Sequence, residues 1–364
     1  MVKDVLIIGG GPAGSAAAIA LAQGGKRATL FERSAVTGDA ICGGFLSWQS
    51  LARLHELGID SAQLGGRAVD RVRLFCQSRS VEAMLPLAGV GLSRHRLDTV
   101  LLAAAQQAGA DVQRGNKVQR VETGVATCAD GAQTQAEDIF LATGKYGLAG
   151  HDRIVSGYGA ADPVVGLRLR IAANPVTAQL IGSAVELHLF DRGYIGLVAQ
   201  EDGTSNLCLA VHKSRLAQAA GRPATLISQW ANDCGALAER LGSIGEWGPI
   251  DSIANVPYGW RVTQGTAGIW RLGDQAAVIP SLAGEGMGIA LNSGVSAARA
   301  YLSGQSAQSW QSATARQLAR PMAIARTAWR IAEHPRWNVD AVRLMGHAPW
   351  MIGLLARLMR VRIH

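Results

Sequence analysis

Lys3-Asp4-Val5-Leu6-Ile7-Ile8-Gly9-Gly10-Gly11-Pro12-Ala13-Gly14 decides the fold of this 364-residue chain. Lys3 to Ile8 is a short, β-rich apolar run, the pattern of a strand buried on both faces. Ala13 to Gln23 is small and apolar, suited to a helix packed tightly on a sheet. Arg27 to Glu32 reads as a second buried strand. The three pieces make a βαβ unit, because parallel strands need a crossover. Between strand and helix stands Gly9-x-Gly11-x-x-Gly14, with Pro12 and Ala13 inside it. Gly9 permits the tight turn, Gly11 lets the backbone approach a pyrophosphate, and Gly14 lets the helix pack on the strand. The exposed N–H groups and positive dipole end of the helix would then meet the diphosphate. Glu32 lies 18 residues beyond Gly14, at the end of the second strand, with Arg33 next to it. That is where an acid accepts hydrogen bonds from a ribose diol, so the unit reads as dinucleotide-binding. The blander alternative is an ordinary Gly-rich turn, with Glu32 a solvated strand end.

Composition agrees with a large folded protein. Apolar residues make up 48% and charged residues 17%, which excludes a disordered or solvating polymer. The length suits two domains. Lys+Arg number 35 against 27 Asp+Glu, a formal charge of +8. The 44 glycines have no collagen-like period and so mark turns and close backbone approaches. The five cysteines (Cys42, Cys76, Cys128, Cys208, Cys234) are scattered without a CxxC. Neither a disulfide framework nor a zinc ribbon is indicated, no metal site is expected, and a reducing, cytoplasmic setting fits. Val5 to Gly25 carries no charge, as a signal peptide or membrane span would. The Gly9–Gly14 turn would break a spanning helix, however, and the run continues into Ala28-Thr29-Leu30-Phe31-Glu32. Strand, turn and helix explain both features, so no transmembrane helix is expected.

Further along, Leu51 to Leu57 reads as a helix stopped by Gly58, and Leu97 to Gln107 as an amphipathic helix closed by Gly109. Val112 and Val118–Val121 read as strands, with a hairpin near Asp130-Gly131. Asp138 to Leu141 is a buried strand ending at Ala142-Thr143-Gly144. From about Val165 the apolar residues alternate: Leu167-Leu169-Ile171, Val185-Leu187-Leu189, then Tyr194 to Val198 and Leu207 to Val211. Short strands in series predict an antiparallel sheet inserted between parts of the first domain. Trp270 to Gly273 returns to the buried-strand pattern, Gly288 to Leu302 is an Ala/Gly-rich helix, and the remaining chain reads as helical.

Leu272-Gly273-Asp274-Gln275-Ala276-Ala277-Val278-Ile279-Pro280 is followed by Gly284-Glu285-Gly286-Met287-Gly288. Together these resemble the second FAD fingerprint of flavoproteins with the p-hydroxybenzoate hydroxylase fold, which include aromatic-ring monooxygenases and geranylgeranyl reductases. Arg94-x-x-Leu97-Asp98 is similar to that family's Arg-x-x-Leu-Asp element. The resemblance implies an α/β fold with FAD as cofactor. A Rossmann-like FAD-binding domain would span 1–65, 91–160 and 262–303. A mostly antiparallel β-sheet substrate domain would span 66–90 and 161–261, and a helical C-terminal segment 304–364. It implies that Asp274 hydrogen-bonds the ribityl chain, flanked by Gly273 and Pro280. Gly284, Gly286, Met287 and Gly288 would open a helix that faces the flavin pyrimidine edge. Arg94 would approach the diphosphate, and Cys42, Gly43, Ala142, Thr143 and Gly144 would also border the cofactor. These roles make physical sense: a reduced flavin is negative near N1 and O2, which a helix N-terminus stabilises. A bidentate cation likewise suits a diphosphate.

The subtype rests on smaller features. Asp39-Ala40-Ile41-Cys42-Gly43-Gly44-Phe45-Leu46-Ser47 is similar to the Cys-Gly-Gly segment of the geranylgeranyl reductase branch, where the chain crosses near the isoalloxazine. Cys42 is thereby the one catalytic candidate, since a thiol near a flavin can titrate; its bland reading is a small buried cysteine. Gly193-Tyr194-Ile195-Gly196-Leu197-Val198 aligns with that branch's Tyr-x-Trp-x-Phe-Pro strand, but Gly196 replaces Trp and Val198-Ala199 replace Phe-Pro. Ala142-Thr143-Gly144-Lys145 stands where monooxygenases carry Asp-Gly. The halogenases' Trp-x-Trp-x-Ile-Pro is absent, and without a second GxGxxG no separate nicotinamide domain is expected. The lack of CxxC argues against dithiol reductases. The expected function is an FAD-dependent oxidoreductase of monooxygenase type, acting on a hydrophobic aromatic, polyketide or isoprenoid-like molecule, with NAD(P)H a candidate electron donor. The alternatives are an O2-independent double-bond reductase or dehydrogenase of the geranylgeranyl reductase type, and a non-redox flavoprotein cyclase. Trp48, His188, Tyr194 and Tyr258 are expected to line the substrate, from their positions alone. No general acid or base follows from spacing.

The tail is rich in arginine (Arg316, Arg320, Arg326, Arg330, Arg336, Arg343, Arg357, Arg360, Arg362), with Trp329, Trp337 and Trp350 among them. Such a surface suits peripheral contact with an anionic membrane when the substrate is lipophilic. The favoured reading is plainer: helices packing apolar faces inward, with arginines in water. Nothing resembles a nucleic-acid module, so no nucleic-acid partner is expected.

Overall fold

A computed structural model describes residues 2–151, 153, 161–242 and 248–361. Residues 154–160 of the expected cofactor domain, and Arg362, lie outside the described residues. Lys3–Ile8 and Thr29–Glu32 are parallel neighbours, with Leu6 opposite Thr29. They belong to a parallel sheet in the order Asp111–Arg114, Thr29–Glu32, Lys3–Ile8, Gln133–Leu141, Ile269–Arg271. A meander, Val118–Glu122 and Val125–Cys128, pairs antiparallel onto the outer half of Gln133–Leu141. The helix Pro12–Gln23 is buried along nearly its whole length, between this sheet and the helix Gly286–Leu302. Small side chains permit that approach. A Cβ on Gly294 would overlap the Ala13 carbonyl oxygen, so only glycine lets the two helices meet this closely.

The chain leaves the first sheet after Leu141 and returns to it at Ile269. Five strands of the intervening chain join three earlier ones in a second sheet of eight strands. Their order is Ile250–Val256, Val164–Ile171, Ser205–His212, Gly193–Ala199, Ala184–Phe190, Arg67–Cys76, Arg79–Gly91, Phe45–Leu46. All neighbours are antiparallel except Ala184–Phe190 beside Arg67–Cys76. Among the described residues, four helices interrupt what reads in the sequence as an unbroken series of strands: Pro175–Ile181, Lys213–Gln218, Pro223–Asp233 and Gly235–Leu241. The helices Pro223–Asp233 and Gly235–Leu241 cover one face, where Trp230 stacks on Phe190 at 4.5 Å.

The other face meets the C-terminal helices Ala307–Glu333, Trp337–His347 and Trp350–Leu358. No helix among the described residues is long and apolar enough to cross a membrane.

Candidate active site

The first turn leaves its backbone bare on one side. Gly9 has φ +108°, and a Cβ there would overlap the Ala142 carbonyl on the neighbouring strand. A Cβ on Gly14 would overlap the Gly9 carbonyl oxygen. Gly11 differs, because a Cβ there would meet only the Arg94 guanidinium, at 3.3 Å. The turn is therefore closed toward the protein and open on the side where Arg94 lies. Arg94 is held by a two-pronged pair with Asp98, Nε–Oδ1 2.9 Å and Nη2–Oδ2 2.8 Å. Burial alone would weaken the guanidinium's grip on its proton. The charge and hydrogen bonds of Asp98 overcome this, so Arg94 stays a cation. Glu32 is fixed by two backbone donors, Gly10 N–H at 2.7 Å and Ser34 N–H at 2.9 Å. Arg33 lies over the Tyr146 ring, 3.5 Å from its centroid.

Asp274 follows the returning strand Ile269–Arg271, and Lys145 Nζ lies 3.4 Å from its carboxylate. The same ammonium donates to the Ile41 carbonyl at 3.2 Å, tying the Asp39–Ser47 segment to this point. Burial by itself would lower the Lys145 pKa, but Asp274 more than offsets it and raises it. The side chain of Gln275, fully buried, donates to Thr143 Oγ1 and to the carbonyls of Gly144 and Tyr146. Ala142, Thr143 and Gly144 are thereby set opposite Asp274. Gly284 has φ +60°, and Glu285 leads into the helix Gly286–Leu302. A Cβ on Gly286 would meet nothing within 4 Å, so this turn too presents a bare backbone. Met287 and Gly288 are buried behind it, and so are Gly273, just before Asp274, and Pro280, which leads to the turn.

The structure thus brings together two glycine turns, an arginine, a carboxylate on a strand end and a second carboxylate. Open faces at Gly11 and Gly286 leave room for an elongated phosphate-bearing group, so the residues present fit FAD.

Beside the second turn lies a cavity of about 620 Å³ between the second sheet and the C-terminal helices. Its walls are hydrocarbon: Val72, Leu74, Leu187, Leu189, Ile324 and Leu355 are typical. Gly43, Gly284 and Ser281 border the cavity on the side of the cofactor segments. Ser281 Oγ is shared by two phenols, Tyr194 and Tyr258, each at 2.5 Å. Burial raises both phenols above their ordinary pKa, so they stay protonated. Cys208 is also on the wall, and burial pushes its thiol up to about 12.

The four expected lining residues separate. Tyr194 is on the cavity wall. Tyr258 reaches it through Ser281, its ring edge-on to Trp329 at 5.4 Å. Trp48 is not on the wall; it lies under the Arg360 guanidinium at 5.1 Å. His188 falls on the opposite face. Val185, Leu187 and Leu189 point into the cavity, so the alternating residues Glu186 and His188 point away. There His188 stacks on Phe75 at 4.5 Å, contacts Cys234 Sγ at 3.6 Å and approaches Glu186 at 3.4 Å. Burial would raise the Glu186 carboxyl, but His188 and Arg240 hold it down to about 2, an ionised buried pair with a structural role. Cys42 is half-buried, its carbonyl accepting from Asn206 Nδ2 at 3.0 Å, while its neighbour Gly43 touches the cavity.

Sequence reasoning did not find Ser281, or the clamp on Glu285. Glu285 is fully buried, and its carboxylate accepts from Arg360, from Val361 N–H at 3.2 Å and from Ser47 Oγ at 3.3 Å. Arg360 also donates to the Ala283 carbonyl at 2.7 Å. Charge alone could have flagged Glu285, an acid in an otherwise neutral turn.

Residues 3–139 match the FAD binding domain family. The chain is 27% identical over 359 residues to menaquinone reductase of Mycobacterium tuberculosis, covering 92% of this chain and 85% of that protein. A flavoprotein/dehydrogenase from Cytophaga hutchinsonii superposes with a TM-score of 0.76 at 18% identity, covering 92% of this chain and 86% of the other. A geranylgeranyl bacteriochlorophyll reductase-like protein from Thermoplasma acidophilum superposes with a TM-score of 0.67 at 22% identity, over 83% and 78% of the two chains.

Proposed function

From the premise that the chain is an FAD-dependent oxidoreductase, with its FAD binding domain at residues 3–139, we propose that it reduces a carbon–carbon double bond in a lipophilic, chain-bearing substrate of isoprenoid type. The observation that carries this reading is the 620 Å³ cavity, whose wall is almost entirely hydrocarbon and whose few polar groups include Ser281 and Tyr194, next to the second glycine turn. A hydrocarbon wall binds by burial alone, at roughly 25 cal/mol per Å² of apolar surface removed from water. It therefore suits a chain better than a polar aromatic acid. The likeness to menaquinone reductases, whose named substrate is a lipid, supports the same reading.

FAD, when bound, supplies the reducing equivalents as a hydride. Gly11 and Arg94 would hold its diphosphate, Glu32 its ribose, Asp274 with Lys145 its ribityl chain, and Gly286 its pyrimidine edge. A double bond that accepts a hydride at one carbon needs a proton at the other. Tyr194 is the group placed to give it: its phenol faces the cavity, keeps its proton because it is buried, and can be resupplied through Ser281 from Tyr258. The apolar walls exclude water, so reducing equivalents are not lost to solvent. NAD(P)H remains a candidate donor for the flavin, and Cys42 a substrate-side contact beside Gly43.

The oxygenase reading expected from the sequence comes second. The Asp-Gly element of the monooxygenases is missing at Ala142-Thr143-Gly144-Lys145. The decisive experiment is anaerobic mixing of the chemically reduced holoenzyme with a polyprenyl lipid in detergent. Flavin reoxidation and a product heavier by two hydrogens are expected. Turnover only in oxygen, or a product of unchanged mass, would replace the reductase with an oxygenase or a cyclase.

A further inference from the structure

Six of the eleven large apolar side chains exposed among the described residues lie on three neighbouring elements: Met84, Leu87, Trp337, Leu344, Trp350 and Leu354. The strand Arg79–Gly91 carries the first two, and the helices Trp337–His347 and Trp350–Leu358, which pack on that strand, carry the others. A Cβ on Gly353 would lie 3.5 Å from the Met84 carbonyl oxygen, so the last helix runs directly over the strand. Helical spacing puts Trp337 with Leu344, and Trp350 with Leu354, on common faces. Trp350 is 68% exposed. Leu344 is 55% exposed and also lines the apolar cavity, so the patch adjoins the cavity there. Arg336, Arg343 and Arg357 are exposed on the same helices and their lead-in, and Asp340 is the only acid in residues 334–361.

We propose that this face docks on an anionic lipid bilayer. Trp337, Leu344, Trp350 and Leu354 enter the boundary between headgroups and acyl chains, and the three arginines meet lipid phosphates. Scattered single apolar residues are ordinary on a protein surface; a cluster of tryptophan and leucine on helices whose exposed charges are mostly arginine, next to a hydrocarbon cavity, is not. The excess positive charge of these helices also selects the occupant. Two copies of this face would bring like charges together, whereas an anionic leaflet neutralises them. The inference rests on the reading of the cavity as a site for an apolar chain. It adds the route: the chain slides from the leaflet into the cavity without crossing water.

The test is co-sedimentation of the holoenzyme with vesicles of phosphatidylglycerol and phosphatidylcholine, against vesicles of phosphatidylcholine alone. Binding to the anionic vesicles, weakening as salt is raised, is expected. W350S/L354S and R343E/R357E should each lower the vesicle-bound fraction by about tenfold. Flavin content, melting temperature and turnover of a short, water-soluble prenyl substrate should stay unchanged, while turnover of a vesicle-embedded lipid falls. The proposal is overturned if the wild type ignores anionic vesicles, or if both variants bind them as well as the wild type. It is equally overturned if light scattering shows a dimer that W350S/L354S dissolves. Sedimentation needs no turnover, so failure of the reductase reading leaves this result standing, and failure of docking leaves short-chain turnover intact.

Discussion

An added Cβ on Gly14 would collide with the Gly9 carbonyl, whereas one on Gly286 would meet nothing and one on Gly11 only the movable end of the Arg94 side chain, at 3.3 Å. The first glycine thus serves the fold, and the other two serve what sits against the turns. Gly14→Ala is expected to yield insoluble or strongly destabilised protein. Gly11→Ala and Gly286→Ala should keep the wild-type circular dichroism and apoprotein melting temperature while losing FAD affinity by about tenfold or more. Flavin titration of the apoproteins checks this; undiminished affinity in both variants would remove the assigned binding turns. The proton-donor role is tested at the same scale. Tyr194→Phe should leave FAD binding intact and slow the anaerobic reaction of reduced enzyme with lipid by about a hundredfold, within the usual range for loss of a positioned acid. A larger solvent isotope effect would show that the proton now comes from elsewhere.

Among the elements, the junction between the second sheet and the long helix is expected to respond to pH. His212 ends the strand Ser205–His212, and its Nε2 lies 2.8 Å from Glu333 Oε2 at the end of Ala307–Glu333. Its Nδ1 lies 2.7 Å from the Asp162 carbonyl, and its ring stacks on Trp329 at 5.6 Å. Burial alone would lower the imidazole pKa, but the hydrogen bond and charge of Glu333 raise it above the ordinary 6.5. A raised folded pKa means that the folded state binds the proton more tightly than the unfolded chain. The pair's contribution is therefore complete below the unfolded value and is lost as pH rises through the folded one. Glu333→Gln should lower stability by roughly 1–3 kcal/mol at acid pH, and the difference from wild type should shrink toward alkaline pH. Paired urea melts at several pH values measure it; a gap that widens with pH would refute the assignment.

Locality also explains what the sequence displayed. The βαβ unit was readable because strand, turn and helix are contiguous and each imposes its own residue pattern. The pairing of Phe45–Leu46 with Arg79–Gly91 was not, since two residues carry no period. His188 was misplaced because a one-residue step along a strand reverses the face, and neighbouring polar residues gave no sign of which face was covered. The Arg360–Glu285 clamp spans 75 positions and leaves no local trace.

At the scale of the whole molecule, one position links cofactor domain, sheet and C-terminal helices: the hydrocarbon space they enclose. Gly196 is on its wall, where the reductase branch is expected to carry tryptophan. A Cβ there would touch Leu187 Cδ2 at 3.7 Å, ordinary contact, so this glycine is not required by backbone packing. Its missing side chain is volume left open to substrate. Gly196→Phe should therefore fold and bind FAD normally while filling part of the 620 Å³. An aromatic ring adds a volume comparable to one prenyl unit, and a close-packed wall does not yield to it. The expected result is a shift in chain-length preference: kcat/KM for a long polyprenyl substrate falls by about tenfold or more while a short one is little affected, because the lost term is burial of the distal chain. Competition between a short and a long substrate in one reaction reads the ratio directly. An unchanged ratio would mean that the chain lies elsewhere, and the cavity would then have to be given another occupant.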